Sequence, residues 1–363
     1  MATSGGASNN IPDNTSCNIG RRTFLQQMGV GAVGSVVGTI VARHALAEQA
    51  FSAPTSAPAT TQPTSQPAID VGSIRDLPTR QLGRLKIQVP MLGFGTASMG
   101  HSFAEPEHFE QVVNAAIDAG IRYLDTARNY DIAEERLKPV LAKRRKEVFL
   151  VTKTWAKSRD DCLRSLEKSM TTMGVDQVDL CHIHNVGEYA KEGAIGKDSC
   201  LAGLQEAKKR GLIKHIGCTG HMKAADFVPI LETGEIDVMM VAMNFVDRHT
   251  YLFEDLVLPV ARKHDVGIVA MKVYGGVTGS WDGYKAKRPG RLVADEHRQD
   301  AFDYVLSIPN LAMCVVGMKT LDELRLAIHA VRHHKPLTGS RREAVLAKGA
   351  RMAKEWGPHF GEA

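Results

Sequence analysis

Eight short apolar runs, each followed by a longer amphipathic stretch, constrain the fold of this chain more than any other feature. The runs fall near residues 91–94, 121–125, 148–153, 178–183, 214–218, 237–243, 267–272 and 313–317. Between and after them lie candidate helices at 106–119, 135–145, 159–173, 198–210, 223–232, 250–264, 297–307 and 321–333. Strands alternating with helices pair in parallel, because each helix returns the chain across the sheet by a right-handed crossover. Several helix ends are legible: Gly120, Gly174 and Gly211 follow helices, and Thr320 with Glu323 makes a capping box. Eight such units over about 255 residues match one (β/α)8 TIM barrel. The expected class is therefore α/β, a single domain over 76–335, with a doubly wound open sheet as the rival architecture. A segment of hairpin character, Arg80 to Val89, precedes the first unit.

The first 75 of the 363 residues do not read as packed domain. Arg21 and Arg22 precede a weakly apolar, Gly-diluted stretch from Met28 to Ala42, and Ala45-Leu46-Ala47 follows. This pattern resembles a twin-arginine (Tat) export signal over 1–47 with cleavage before Glu48. The stretch is short of the roughly 20 apolar residues that a spanning helix needs, so removal is expected, with no stable membrane span afterwards. The Tat translocase is the partner implied during export, and the expected destination is periplasmic or otherwise outside the cytoplasm. Residues 48–75, rich in Ala, Pro, Thr, Ser and Gln, read as a tether. The formal charge is +5, of which Arg21, Arg22 and Arg43 against Asp13 supply +2. The +3 that remains demands no nucleic acid. Six cysteines show no Cys-x-x-Cys pair, and Cys181, Cys218 and Cys314 sit inside apolar runs as small hydrophobes.

Parallel barrels gather their chemistry at the carboxyl ends of the strands. Asp125, Lys153 and His184 stand at three successive such ends, with Tyr130 just beyond the first of them. Together they suit carbonyl reduction. A phenol is a weak acid near neutrality, with an ordinary pKa of about 10, and a neighbouring ammonium favours its anion. Tyr130 is thus the expected general acid, Lys153 its electrostatic tuner, Asp125 the anchor of Lys153, and His184 the group that orients the carbonyl oxygen.

The segments carrying these residues resemble the aldo-keto reductase superfamily over nearly all of residues 79–333. Asp125-Thr126-Ala127-Arg128-Asn129-Tyr130 with Glu134 is similar to Asp-Thr-Ala-x-x-Tyr-Gly-x-x-Glu. Val151-Thr152-Lys153-Thr154 is similar to the family's lysine motif, and Asp179-Leu180-Cys181-His182-Ile183-His184 to Asp-Leu-x-x-x-His. The run Lys209 to Gly217 matches the family's lead into its fifth strand. The resemblance implies a barrel that uses NADPH/NADP in preference to NADH, on a small carbonyl or sugar-like substrate. It places Gly95 and Thr96 near the nicotinamide, Asp125 near its ribose and Thr219 at the carboxamide. It adds Asn244, Met271 and Lys272 as cofactor contacts. Lys319 and Thr320 open the last helix, a position suited to phosphate, with Arg325 nearby. No Gly-x-Gly-x-x-Gly fingerprint follows Gly93-Phe94-Gly95, so a Rossmann mode is not implied. Four positions depart from the family pattern: Asp131 for Gly, Gly220 for Asn, Met240 for Gln, and Met271 for an aromatic ring.

Besides a Schiff-base lyase acting through Lys153, two other readings compete. His182 and His184 lie two apart on one strand and face the same side, as ligands of a metal-dependent hydrolase would. A catalytically weak barrel that binds NADPH and regulates or scaffolds a partner is the other. The long segments 185–197 and 275–295 leave the catalytic end as candidate lids, and a tail over 336–363 carries a candidate helix at 340–355.

Overall fold

The computed structural model describes residues 77–100, 105–188, 191–279, 282–283 and 288–363. The expected export signal (1–47), the tether (48–75) and the domain start at 76 lie outside the described residues. An antiparallel hairpin, β1 (Thr79–Gln81) and β2 (Gln88–Pro90), comes first. Eight parallel strands follow: β3 (Leu92–Gly95), β4 (Tyr123–Asp125), β5 (Phe149–Thr154), β6 (Val178–Ile183), β7 (Ile213–Gly220), β8 (Val238–Ala242), β9 (Gly267–Met271) and β10 (Leu311–Val316). They close in the order β10-β3-β4-β5-β6-β7-β8-β9. The (β/α)8 barrel expected from the alternation is the observed fold.

Strands buried on both faces explain why their sequences read as continuous apolar runs. One set of side chains fills the barrel interior, among them Tyr123, Val151, Leu180, Val238, Met240, Val269 and Met313. The other set packs outward under the helices, as Leu124, Cys181, Ile216, Val241 and Ile268 do. Leu82 and Val89 of the hairpin join the interior set and plug the amino-terminal end of the barrel. Gly267 makes room for that plug, since a Cβ there would lie 2.7 Å from the Leu82 Cδ1 atom.

Helix Arg159–Met173 begins under the Ser158 hydroxyl, which accepts from the Asp161 amide, and ends at Gly174 with φ +68°. The stretch 250–264, expected as one helix, is divided: a π-turn at Phe253–Val257 precedes a helix at Leu258–Lys263. Pro259 lacks the amide that a continuous ladder requires, and it stands in the first turn of the second helix, where that amide would have no intrahelical partner in any case. The tail forms a helix over Gly339–Trp356 that lays Val345, Gly349 and Ala353 against the barrel. Its last residues are stitched to the loops after β7 and β8. Tyr251 OH accepts from the Phe360 amide at 2.7 Å, the Lys223 amide donates to the Glu362 carbonyl at 3.2 Å, and His359 Nε2 lies 2.8 Å from Asp247 Oδ1. Among the described residues no helix is long and apolar enough to cross a membrane.

Candidate active site

A cavity of about 410 Å³ opens at the carboxyl end of the strands, and Asp125, Tyr130 and His184 line it. Asp125 closes β4, and the Thr126 amide beyond it donates to the Val151 carbonyl at 2.9 Å, which continues the sheet for one more residue. The chain then turns, with the Tyr130 amide donating to the Ala127 carbonyl at 3.0 Å, and brings the phenol back over β5. Asp131 ends this turn at φ +52°. Its departure from glycine is thereby explained as a tolerated one, because aspartate is among the few residues that visit the left-handed region.

Lys153 Nζ lies 2.6 Å from Asp125 Oδ2, 2.8 Å from the Thr126 carbonyl oxygen and 4.5 Å from the centre of the Tyr130 ring. The His184 ring meets the Tyr130 ring edge-on, 5.8 Å between centres, and Trp155 flanks it at 6.1 Å. All four of the sequence-selected residues are buried, Tyr130 most exposed at 8%. The structure brings them to one place.

Burial dominates the electrostatics here. It pushes the Asp125 carboxyl up, opposed by the Lys153 ammonium, and pushes the Lys153 amine down, opposed by Asp125. Desolvation, with the nearby Lys153 charge, holds His182 and His184 well below the ordinary imidazole range, so both rings are neutral. Glu134, 1% exposed, accepts from the Thr152 hydroxyl at 2.8 Å and from Arg128 at 3.1 Å, tying the tyrosine turn to β5.

The residues assigned to cofactor contact divide into two sets. Gly95, Met271, Lys272 and Lys319 line the cavity together with Asp125. Thr96, Thr219, Asn244 and Thr320 are not in that lining, and each polar group has another partner. Thr96 donates its hydroxyl to the Asp125 carbonyl at 3.1 Å, and the Thr219 hydroxyl faces the Met271 sulfur at 3.9 Å. Asn244 bonds Asp247 and the Lys272 carbonyl through its amide nitrogen and accepts from the Val246 and Asp247 amides. Thr320 caps helix Leu321–Arg332 by accepting from the Glu323 amide at 3.1 Å, and Arg325 pairs with Asp322 on the surface. At Gly220 a Cβ would lie 2.8 Å from the Phe227 ring, so the asparagine of the family pattern has no room in this packing.

Several lining residues escaped the sequence reading: Asn185, Glu188, His221, Arg288, Arg291 and Arg298. His221 directly follows β7 and Asn185 stands two residues past β6, a signal that could have found them. The arginines stand in and just after the long segment after β9, where only folding brings them to the mouth. Among the described residues no group of three or more His, Cys, Asp or Glu side chains converges to hold a metal, so His182 and His184 gain no third ligand there.

Comparison with known proteins identifies the family of this fold. The aldo/keto reductase family model matches residues 91–331. A D-threo-aldose 1-dehydrogenase from a Pseudomonas species is 25% identical over 74% of this chain and 90% of its own length. An aldo-keto reductase from Bacillus halodurans, solved in its holo form, superposes with a TM-score of 0.62 at 22% identity, covering 76% of this chain and 97% of that one. One from Klebsiella pneumoniae, solved in complex with NADPH, gives 0.60 at 20% identity over 77% and 95%. With the family model spanning all eight barrel strands, this chain belongs to the aldo/keto reductase family.

Proposed function

We propose that the chain reduces an aldehyde or ketone with NADPH, or runs the reverse oxidation, with Tyr130 as the proton donor. The observation that carries this reading is the buried Lys153 ammonium, clamped at 2.6 Å by Asp125 and held 4.5 Å from the Tyr130 ring at the cavity wall. A dinucleotide fits the lining: Lys272, Arg291 and Lys319 supply positive charge for phosphates, and Asp125 Oδ1 is buried without a hydrogen-bond partner, an acceptor suited to a ribose hydroxyl. Bound there, the reduced nicotinamide supplies hydride.

The protein's own part is to place and protonate the substrate. Neutral His184 can donate one hydrogen bond to the carbonyl oxygen while Tyr130 delivers its proton to that same oxygen. The Lys153 ammonium beside the ring stabilises the phenolate left behind. Asp125 holds the ammonium charged against the desolvation that would otherwise neutralise it. The test is NADPH consumption with a panel of aldehydes. Tyr130→Phe is expected to lower kcat by about 10²–10⁴ while NADPH titration gives the wild-type Kd; retained turnover would remove Tyr130 from the role.

Export completes the proposal, supported by Arg21-Arg22 and the Ala45-Leu46-Ala47 site. A reporter fused after residue 47 should leave the cytoplasm, and Arg21→Lys with Arg22→Lys should keep it inside.

A further inference from the structure

The cavity mouth is electrically lopsided, and barrel order fixes which side is which. Around the closed ring β6 stands opposite β10. Lys272 and Arg291 follow β9 and Lys319 follows β10, whereas Asn185 and Glu188 follow β6, directly after His184. The dinucleotide phosphates belong on the cationic side. The opposite wall, next to the reacting carbonyl, is left for the substrate.

Three carboxylates line the cavity. Asp125 is held by Lys153 at 2.6 Å, and Glu323 has the Lys319 ammonium at 3.8 Å. Glu188, exposed at the mouth, has no cation partner among the described residues, and partial desolvation pushes its carboxyl above the ordinary range. His221, across the loop on the same side, adds no positive charge, because desolvation holds its imidazole well below the usual value.

The wall is built rather than incidental. Asn185 stands at φ +56° and is 8% exposed, and its Oδ1 is buried without a hydrogen-bond partner. The Glu188 amide donates to the Asn185 carbonyl at 2.8 Å, which curls the chain back toward the mouth. Gly187 lets this turn press on the loop after β7: a Cβ there would lie 2.7 Å from the Met222 carbonyl oxygen.

Resting on the reductase reading above, we propose that this wall sets the substrate class. Asn185 accepts a hydroxyl of a neutral, hydroxylated carbonyl compound, and the unpaired Glu188 carboxylate excludes substrates that carry a carboxylate of their own. Two like charges brought into contact at the mouth repel enough to discriminate by about tenfold. A hydroxyl loses nothing there, since both wall residues can accept from it.

The matched probes are D-glucuronate and its uncharged amide, D-glucuronamide, assayed with NADPH beside D-glyceraldehyde as a general aldehyde. Wild-type enzyme should favour the amide by about tenfold in kcat/KM. Glu188→Gln should raise the acid-to-amide ratio by a similar factor, whereas Glu188→Asp, which keeps the charge, should leave it low. Asn185→Ala should raise KM for the amide by about fivefold, the worth of one hydrogen bond. If D-glyceraldehyde is reduced and the ratio is the same in wild type and Glu188→Gln, the inference fails alone. If no aldehyde is reduced, the reductase reading falls and takes this inference with it.

Discussion

At the scale of single residues, the buried pair Lys153–Asp125 does most to join stability to chemistry. Removing one partner of such a pair strands the other's charge in the interior. Lys153→Met is therefore expected to cost about 3–5 kcal/mol as well as most of the activity, measured by urea unfolding beside turnover. Adding Asp125→Asn to that variant should recover stability but not activity, which separates the structural from the catalytic share. Gly217 carries a quieter constraint. It sits beside His182 in the register of β6 and β7, and a Cβ there would collide with the imidazole. Gly217→Ala should destabilise by about 1–3 kcal/mol, again read from urea unfolding. The convergence of the four catalytic candidates was legible because each sits at or just past a strand end. That Thr96, Asn244 and Thr320 stand outside the cavity lining was not, because short polar side chains near chain turns bond backbone as readily as ligand, and no spacing rule tells the two apart.

Among elements, the last barrel helix separates two meanings of one sequence pattern. Gly317-Met318-Lys319-Thr320 reads equally as a phosphate site or as a cap. The structure gives the Thr320 hydroxyl to the Glu323 amide and leaves Lys319 in the cavity lining. Thr320→Ala should thus cost about 1 kcal/mol of stability with NADPH affinity unchanged, while Lys319→Ala should weaken NADPH and leave the melting temperature nearly as it was. Equal effects of both variants on affinity would return Thr320 to the binding site. The tail helix shows the opposite limit of sequence reading. Its 3.6-residue pattern was visible, but its docking rests on the approach of Gly349 to the Phe245 backbone and on Tyr251 holding the Phe360 amide, contacts between segments some hundred residues apart.

For the whole molecule, the neutral imidazoles at the barrel mouth set a pH limit. Folded His182 and His184 resist protonation, whereas in the unfolded chain they take up a proton near pH 6.5. Below that value the unfolded state binds more protons, so stability falls as pH falls, and it is fully present above it. Two such rings should cost about 2 kcal/mol between pH 6.5 and 5.5; urea midpoints that do not move across this window would mean that the rings are protonated in the fold. The sequence by itself determined the barrel, because the alternation of buried strands and amphipathic helices admits few other closed arrangements, and it determined that Asp125, Tyr130, Lys153 and His184 meet, because strand ends converge in any such barrel. Tertiary structure alone decided which polar residues face the cavity, where the arginines after β9 come to rest, and that Glu188 stands opposite the cations. Those outcomes depend on loop paths and on distant atoms competing for the same hydrogen bonds, neither of which leaves a period in the sequence.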